Sequence, residues 1–226
     1  MKEVLLSVSL MLILSSLFAQ TIIPRAGITL SSSAYTPNSD FVEKTNQQHL
    51  TGFTVGVGYD LFINDRFSLQ PEINFIQKGQ KREDIAYPDN YEYKMKSEYR
   101  YNYLEVPVLV KVKFGGVTKF YLSAGPSIAL GLGGNYKFTS TFGGLPLDED
   151  VKSKIKFSDK PDDYDGDDIY VDNRLDAGVQ VGAGALLFGK VTVDIRYGLG
   201  LTDIYKEYDS KNKVLQFSVG VPLNLF

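Results

Sequence analysis

The chain has 226 residues, no cysteine and no tryptophan, with 24 basic against 27 acidic side chains and a net charge of −3. The lack of thiols excludes disulfides, thiolate metal sites, a cysteine nucleophile and a thioether-linked lipid anchor, and the near balance of charge argues against a broad basic surface for nucleic acid. Twenty-one glycines beside 15 tyrosines and 14 phenylalanines favour strands over helices, because glycine weakens helix interiors and aromatic side chains suit a pleated surface.

Residues 1–19 read as an export segment. Lys2 and the α-amine give a weakly positive start, residues 4–18 are apolar, and Ala19-Gln20 offers a small-residue cleavage point. That run falls short of the roughly 20 residues a membrane-spanning helix needs, and no comparable run follows. From Gln20 onward the dominant signal is alternation with period two, which places one residue class on each face of a strand. Eight segments carry it: 25–30, 53–61, 67–75, 104–114, 120–132, 175–187, 191–199 and 215–225. Even positions of 104–114 are all apolar, while Glu105, Lys111 and Lys113 hold the other face. In 191–199 the residues opposite the apolar set are Thr192, Asp194, Arg196 and Gly198.

The links between these segments alternate in length. Short ones fall at 63–65, 115–117 and 188–190, and long polar ones at 31–50, 80–98, 136–170 and 204–214. Short turns at one rim and long loops at the other are the pattern of outer-membrane barrels. The expected fold is therefore all-β, an eight-stranded antiparallel up-and-down transmembrane β-barrel over residues 20–226, after a cleaved signal peptide at 1–19. The even strand count puts both termini on the periplasmic side.

Alternation alone also fits a soluble ligand-carrying barrel, so the orientation rests on the small face. Gly56, Gly58, Gly125, Gly178, Gly182, Gly184 and Gly220 would cover nothing on an exterior, whereas the interior of an eight-stranded barrel is just wide enough to be filled by side chains. On the same face Asp60, Glu72, Glu105, Asp176 and Asp194 would meet Lys111, Lys113 and Arg196, with Arg25 as a further candidate. The lumen is then a network of paired charges, plugged and not open. Phe62, Phe67, Phe114, Phe120 and Phe188 lie near the short turns. Tyr99, Tyr101, Tyr136, Tyr170, Tyr205 and Tyr208 lie near the long loops, and both groups are expected at headgroup level. Phe226 ends the chain in phase with Ser218, Gly220, Pro222 and Asn224, so either a bulge resets the last residues or Leu225 serves as the outward terminus.

With the strands in order, the chain resembles the PorT-like outer-membrane β-barrel proteins of the Bacteroidetes. The resemblance is carried by Pro71-Glu72-Ile73-Asn74-Phe75, Gln77-Lys78-Gly79 and the run from Tyr103-Leu104-Glu105-Val106-Pro107 to Lys111. Tyr121-Leu122-Ser123-Ala124-Gly125-Pro126, Asp176-Ala177-Gly178 and Arg196-Tyr197-Gly198-Leu199 continue it. It implies an eight-stranded barrel in a Gram-negative envelope with Glu105 and Lys111 in the lumen. The link of the founding member to protein secretion is not carried over.

Two further features bear on chemistry. Aspartates crowd around Gly166, and Asp163, Asp165, Asp167 and Asp172 are calcium candidates, although the spacing misfits an EF-hand loop, with Pro161 at its first position; a solvated acidic loop is the simpler reading. His49 is the only histidine, so any Ser-His-Asp mechanism runs through it, but no nucleophile motif accompanies it. No catalytic residue, cofactor or further metal site is expected. The function expected is a non-enzymatic binding, structural or envelope-assembly role. The alternatives are a rim-active hydrolase or acyltransferase using His49, or a narrow passive channel. Expected partners are outer-membrane lipid, the barrel-assembly machinery during insertion, and an envelope protein or surface polymer at the long loops, with no nucleic acid.

Overall fold

The computed structural model describes residues 20–33, 44–88, 91–147, 150–158, 166–205 and 210–224. The expected signal peptide lies outside them, as do Tyr208, Leu225 and Phe226. Among the described residues there is no α-helix, and thirteen strands form one sheet. They are β1 (Gln20–Ser33), β2 (Lys44–Gln48), β3 (Leu50–Phe62), β4 (Phe67–Ala86), β5 (Tyr93–Gly115), β6 (Lys119–Phe142), β7 (Leu145–Pro146), β8 (Val151–Lys156), β9 (Ile169–Tyr170), β10 (Leu175–Leu187), β11 (Val191–Gly200), β12 (Asn212–Gly220) and β13 (Leu223–Asn224).

Seven of these contain expected segments and an eighth, β12, takes in the last one as far as Gly220; the eight close a ring in the order β1-β3-β4-β5-β6-β10-β11-β12. Every neighbour in the ring is antiparallel, and β12 returns to β1 with Arg25 opposite Gly220. Closure matters physically, because a sheet edge in hydrocarbon would leave amides without any partner. Past Gly220 the pairing continues as Ile22 opposite Leu223 and Thr21 opposite Asn224, the same register, so no bulge resets the strand up to Asn224.

The long links are less irregular than expected. Residues 80–98 are mostly the outer part of the β4–β5 hairpin, which stays in register from Phe67 opposite Val112 to Ala86 opposite Tyr93. The third long link is built on the outer part of β6, with β8 paired along it and β9 running parallel to β8. Polar side chains on these extensions interrupt the apolar alternation, since above a membrane neither face need be apolar. The tight turn after β10 has Phe188 at φ 51° and Gly189 at φ 67°, as a two-residue hairpin turn of the primed kind requires. Lys190 N–H donates to the Leu187 carbonyl across it at 2.9 Å.

Outward rows are apolar and exposed, among them Ile73 at 55%, Leu122 at 56% and Val219 at 52%. Inward rows are buried and mostly polar on all eight strands, with a small apolar cluster at one end. A contiguous apolar exterior of this kind marks a surface covered by something other than water.

Candidate functional site

The lumen is filled in successive levels. Nearest the short turns, Lys113 Nζ pairs with Asp60 Oδ2 at 2.6 Å and lies 4.1 Å from the centre of the Phe62 ring. Beside it, the ammonium of Lys111 sits over the ring of Tyr121 at 4.0 Å. Alternation on β3 and β5 brings these side chains to one face, and glycines opposite give them room. A Cβ added at Gly184 would stand 2.5 Å from the Tyr121 ring.

The next level centres on Glu72. Arg196, from the opposite wall, donates to both of its carboxylate oxygens, at 2.8 and 2.9 Å, and Arg25 on β1 pairs with it as well. Asn74 Nδ2 donates to Oε2 at 2.9 Å, and the Gln70 amide also donates to this carboxylate. Asp194 accepts from Arg25 at 3.0 Å and from Arg196 at 3.3 Å. Two guanidiniums thus share two carboxylates, with the planar donors matching the acceptors.

Above it, Lys78 Nζ bridges Glu105 at 2.7 Å and Asp176 at 3.1 Å. Gln180 donates to Glu105 and Asn212 to Asp176, each at 2.9 Å. A cavity of about 10 Å³ lies among these groups, large enough for one water. The outermost filled level is apolar: Ile76, Tyr101, Tyr103, Ile155, Val171 and Val214 are buried together. Phe157 lies with its ring centre 5.3 Å from that of Tyr103. A bulge admits it, because β6 has one extra residue between the partners of Asn102 and Tyr103, and a Cβ at Gly131 would meet the Phe157 ring at 2.7 Å.

All eight residues expected in the lumen face it, but they do not form one cluster. Asp60 and Lys113 form a pair, Glu72, Asp194 and Arg196 a second group, and Glu105 and Asp176 a third. Lys111 stands apart. The third group is organised by Lys78, which lies beyond the expected strand end at residue 75 but in phase with Glu72 and Asn74. Tyr101, expected at headgroup level, and Tyr103 are fully buried in the lumen, and Tyr99, Tyr136 and Tyr205 pack against that core, so these five tyrosines form a stopper and not a headgroup belt. Tyr101 and Tyr103 share the phase of Glu105, and that phase decides the face where amphipathic character does not. The phenylalanines near the short turns do point outward, with Phe62, Phe67, Phe114, Phe120 and Phe188 all exposed.

Beyond the stopper, a recess of about 380 Å³ opens among the long loops, lined by Gln80, Arg82, Asp84, Ser97, Tyr99 and Tyr205 with Ile169. Arg82 Nε donates to Asp84 Oδ1 at 2.7 Å, fixing both heads at its wall. Of the calcium candidates, Asp163 and Asp165 lie outside the described residues, and Asp167 and Asp172 are exposed. No group of three or more potential ligands forms a metal site among the described residues. His49 is exposed between β2 and β3, and the acidic residues near it in sequence, Asp40 and Glu43, lie outside the described residues.

A family model described as outer membrane protein beta-barrel domain matches residues 18–206. No curated protein matches the chain. Among solved structures, the chain is similar to the attachment invasion locus protein Ail of Yersinia pestis, with 13% identity, 91% of this chain and 99% of that one covered, and a TM-score of 0.41. It is similar to the Neisserial surface protein A at 14% identity, covering 88% of this chain and 96% of that one with a TM-score of 0.41. OprG of Pseudomonas aeruginosa stands at 10% identity, 91% and 96% coverage and a TM-score of 0.40.

Proposed function

Since the chain belongs to the outer-membrane protein β-barrel domain family, we propose that it is a plugged, non-enzymatic barrel that holds a binding face at the outer rim. The observation that carries this reading is the contrast between a lumen filled level by level and a recess left free above it. A conducting pore needs a continuous wet path, and here three ion-pair levels and an aromatic stopper stand across it. The recess is lined by the aromatic Tyr99 and Tyr205 and by the polar Arg82, Asp84, Ser97 and Gln80. That combination suits a polar, ring-containing chain such as a surface saccharide polymer.

In this reading residues 1–19 are removed on export, both termini face the periplasm, and the assembly machinery inserts the barrel with its apolar rows in lipid. The PorT-like, Bacteroidetes-type resemblance of the strand motifs supports that placement.

The test pairs two measurements on the mature protein. In planar bilayers it should give no steady single-channel conductance. Isolated from its own envelope, it should retain bound polymer, and Tyr99→Ala combined with Arg82→Ala should release it. Steady conductance, or retention unaffected by the double substitution, would contradict the proposal. A His49→Ala phenotype equal to that of deletion would favour an enzyme instead.

A further inference from the structure

The short-turn end of the lumen has a cavity of its own, about 200 Å³, lined by Lys111, Lys113, Lys119, Asp60, Tyr121 and Thr192 among others. Its wall includes Phe62 and Gly189 beside the turns, so it opens at that rim. Lys113 is engaged by Asp60. Lys111 is not engaged. It is 2% exposed, its ammonium rests over the Tyr121 ring, and among the described residues no carboxylate or hydrogen-bond acceptor takes its protons.

The ion pairs nearest Lys111 balance one another without it. In the two levels nearest this mouth, Arg25, Arg196 and Lys113 already match Glu72, Asp194 and Asp60, three against three, before Lys111 is counted. The only carboxylate excess lies farther in, where Glu105 and Asp176 share the single Lys78. Glu105 and Lys111 are six positions apart on β5, about 20 Å at the rise of a strand. An ammonium buried without a partner is costly, so either it is neutral or an anion enters from the mouth.

We propose that this mouth binds a phosphate group, with Lys111 as the inner contact and Lys119 as the outer one. The cations here are lysines and not arginines. Ammonium groups act as point charges that suit a compact oxyanion approached from several sides, whereas a planar carboxylate is matched best by a guanidinium. With Asp60 taken by Lys113, the surplus is the two charges of Lys111 and Lys119, in keeping with a phosphate ester or the free ion. The phosphate belongs either to a soluble molecule or to a phospholipid headgroup reaching the rim.

The two sources are separated with the full mature barrel folded in a phosphate-free maltoside detergent. Inorganic phosphate is titrated in by calorimetry, and phosphatidylglycerol is compared with diacylglycerol by native mass spectrometry. Binding of phosphate supports a soluble ligand, and retention of phosphatidylglycerol alone supports a headgroup. In either case Lys111→Met should weaken binding by at least about tenfold while the barrel still folds, judged by its heat-shifted gel mobility. Lys119→Met, at the rim, should weaken it by about threefold, and it keeps the test intact if the inner variant does not fold. Absence of binding in both arms, or affinity unchanged in Lys111→Met and Lys119→Met, overturns the proposal.

Discussion

The two halves of the lumen are filled by different physics although the same eight strands build both. Toward the short turns, Glu72, Asp194, Arg25 and Arg196 satisfy one another through directed bonds. Toward the long loops, Ile76, Tyr101, Tyr103 and Phe157 exclude water by shape and apolar contact. The ionic half fixes which strands may face each other, because each charge has partners on distant strands, such as Glu72 on β4 and Arg196 on β11. The aromatic half seals the barrel without demanding such exact partners.

That difference can be broken from either side. The largest effect is expected for Glu72→Ala, which leaves Arg25 and Arg196 to share the single carboxylate of Asp194 in a dry interior. It should cost about 3–5 kcal/mol, read as a lower urea midpoint for loss of β-sheet circular dichroism in lipid vesicles. Changing Glu72, Asp194, Arg25 and Arg196 together to methionine, which removes both carboxylates with both guanidiniums, should recover much of that loss and would separate the value of the network from the penalty of breaking it. In the other half, Ile76→Ala opens a cavity in the stopper and should cost about 2–4 kcal/mol in the same assay, with no stranded charge and no sensitivity to a second substitution among the ionic groups.

The smallest effect lies outside the barrel wall, where Lys156 Nζ pairs with Asp168 at 2.6 Å. The hydrogen bond from Lys156 holds the Asp168 carboxyl below its ordinary value of 3.8. A carboxyl lowered in the folded state stabilises above its unfolded value, and that contribution fades as acid titrates the folded group. Asp168→Asn should therefore shift the midpoint slightly at neutral pH, and the variant and the parent chain should converge in acid, once the folded Asp168 carboxyl is protonated. A difference that persists in acid would mean that Asp168 acts through something other than its charge.

Much of the ring was legible in the sequence because hydrocarbon outside and a narrow lumen inside impose strict alternation. Residues 104–114 and 191–199 show it without interruption, and the charged residues of those runs all face inward. Legibility failed where that constraint relaxes. The β4–β5 hairpin keeps its pairing to Ala86 opposite Tyr93, but out of the membrane its two faces are both polar, so the strands read as loop. The stopper failed for another reason. Tyr101 and Tyr103 can serve a headgroup or a core, and Phe157 reaches them only because of the extra residue in β6 near Gly133, a local irregularity that no period reveals. Lys78 was within reach, since its phase on β4 is that of Glu72.

The orientation of the two faces is open to direct measurement, because the chain has no cysteine and single spin-labelled cysteines can be placed at will. Labels at Val110, Ile195 and Val219 in lipid bilayers should collide with dissolved oxygen and be shielded from a water-soluble nickel chelate. If those positions prove open to the chelate and closed to oxygen, the apolar rows do not face lipid and the barrel is oriented the other way.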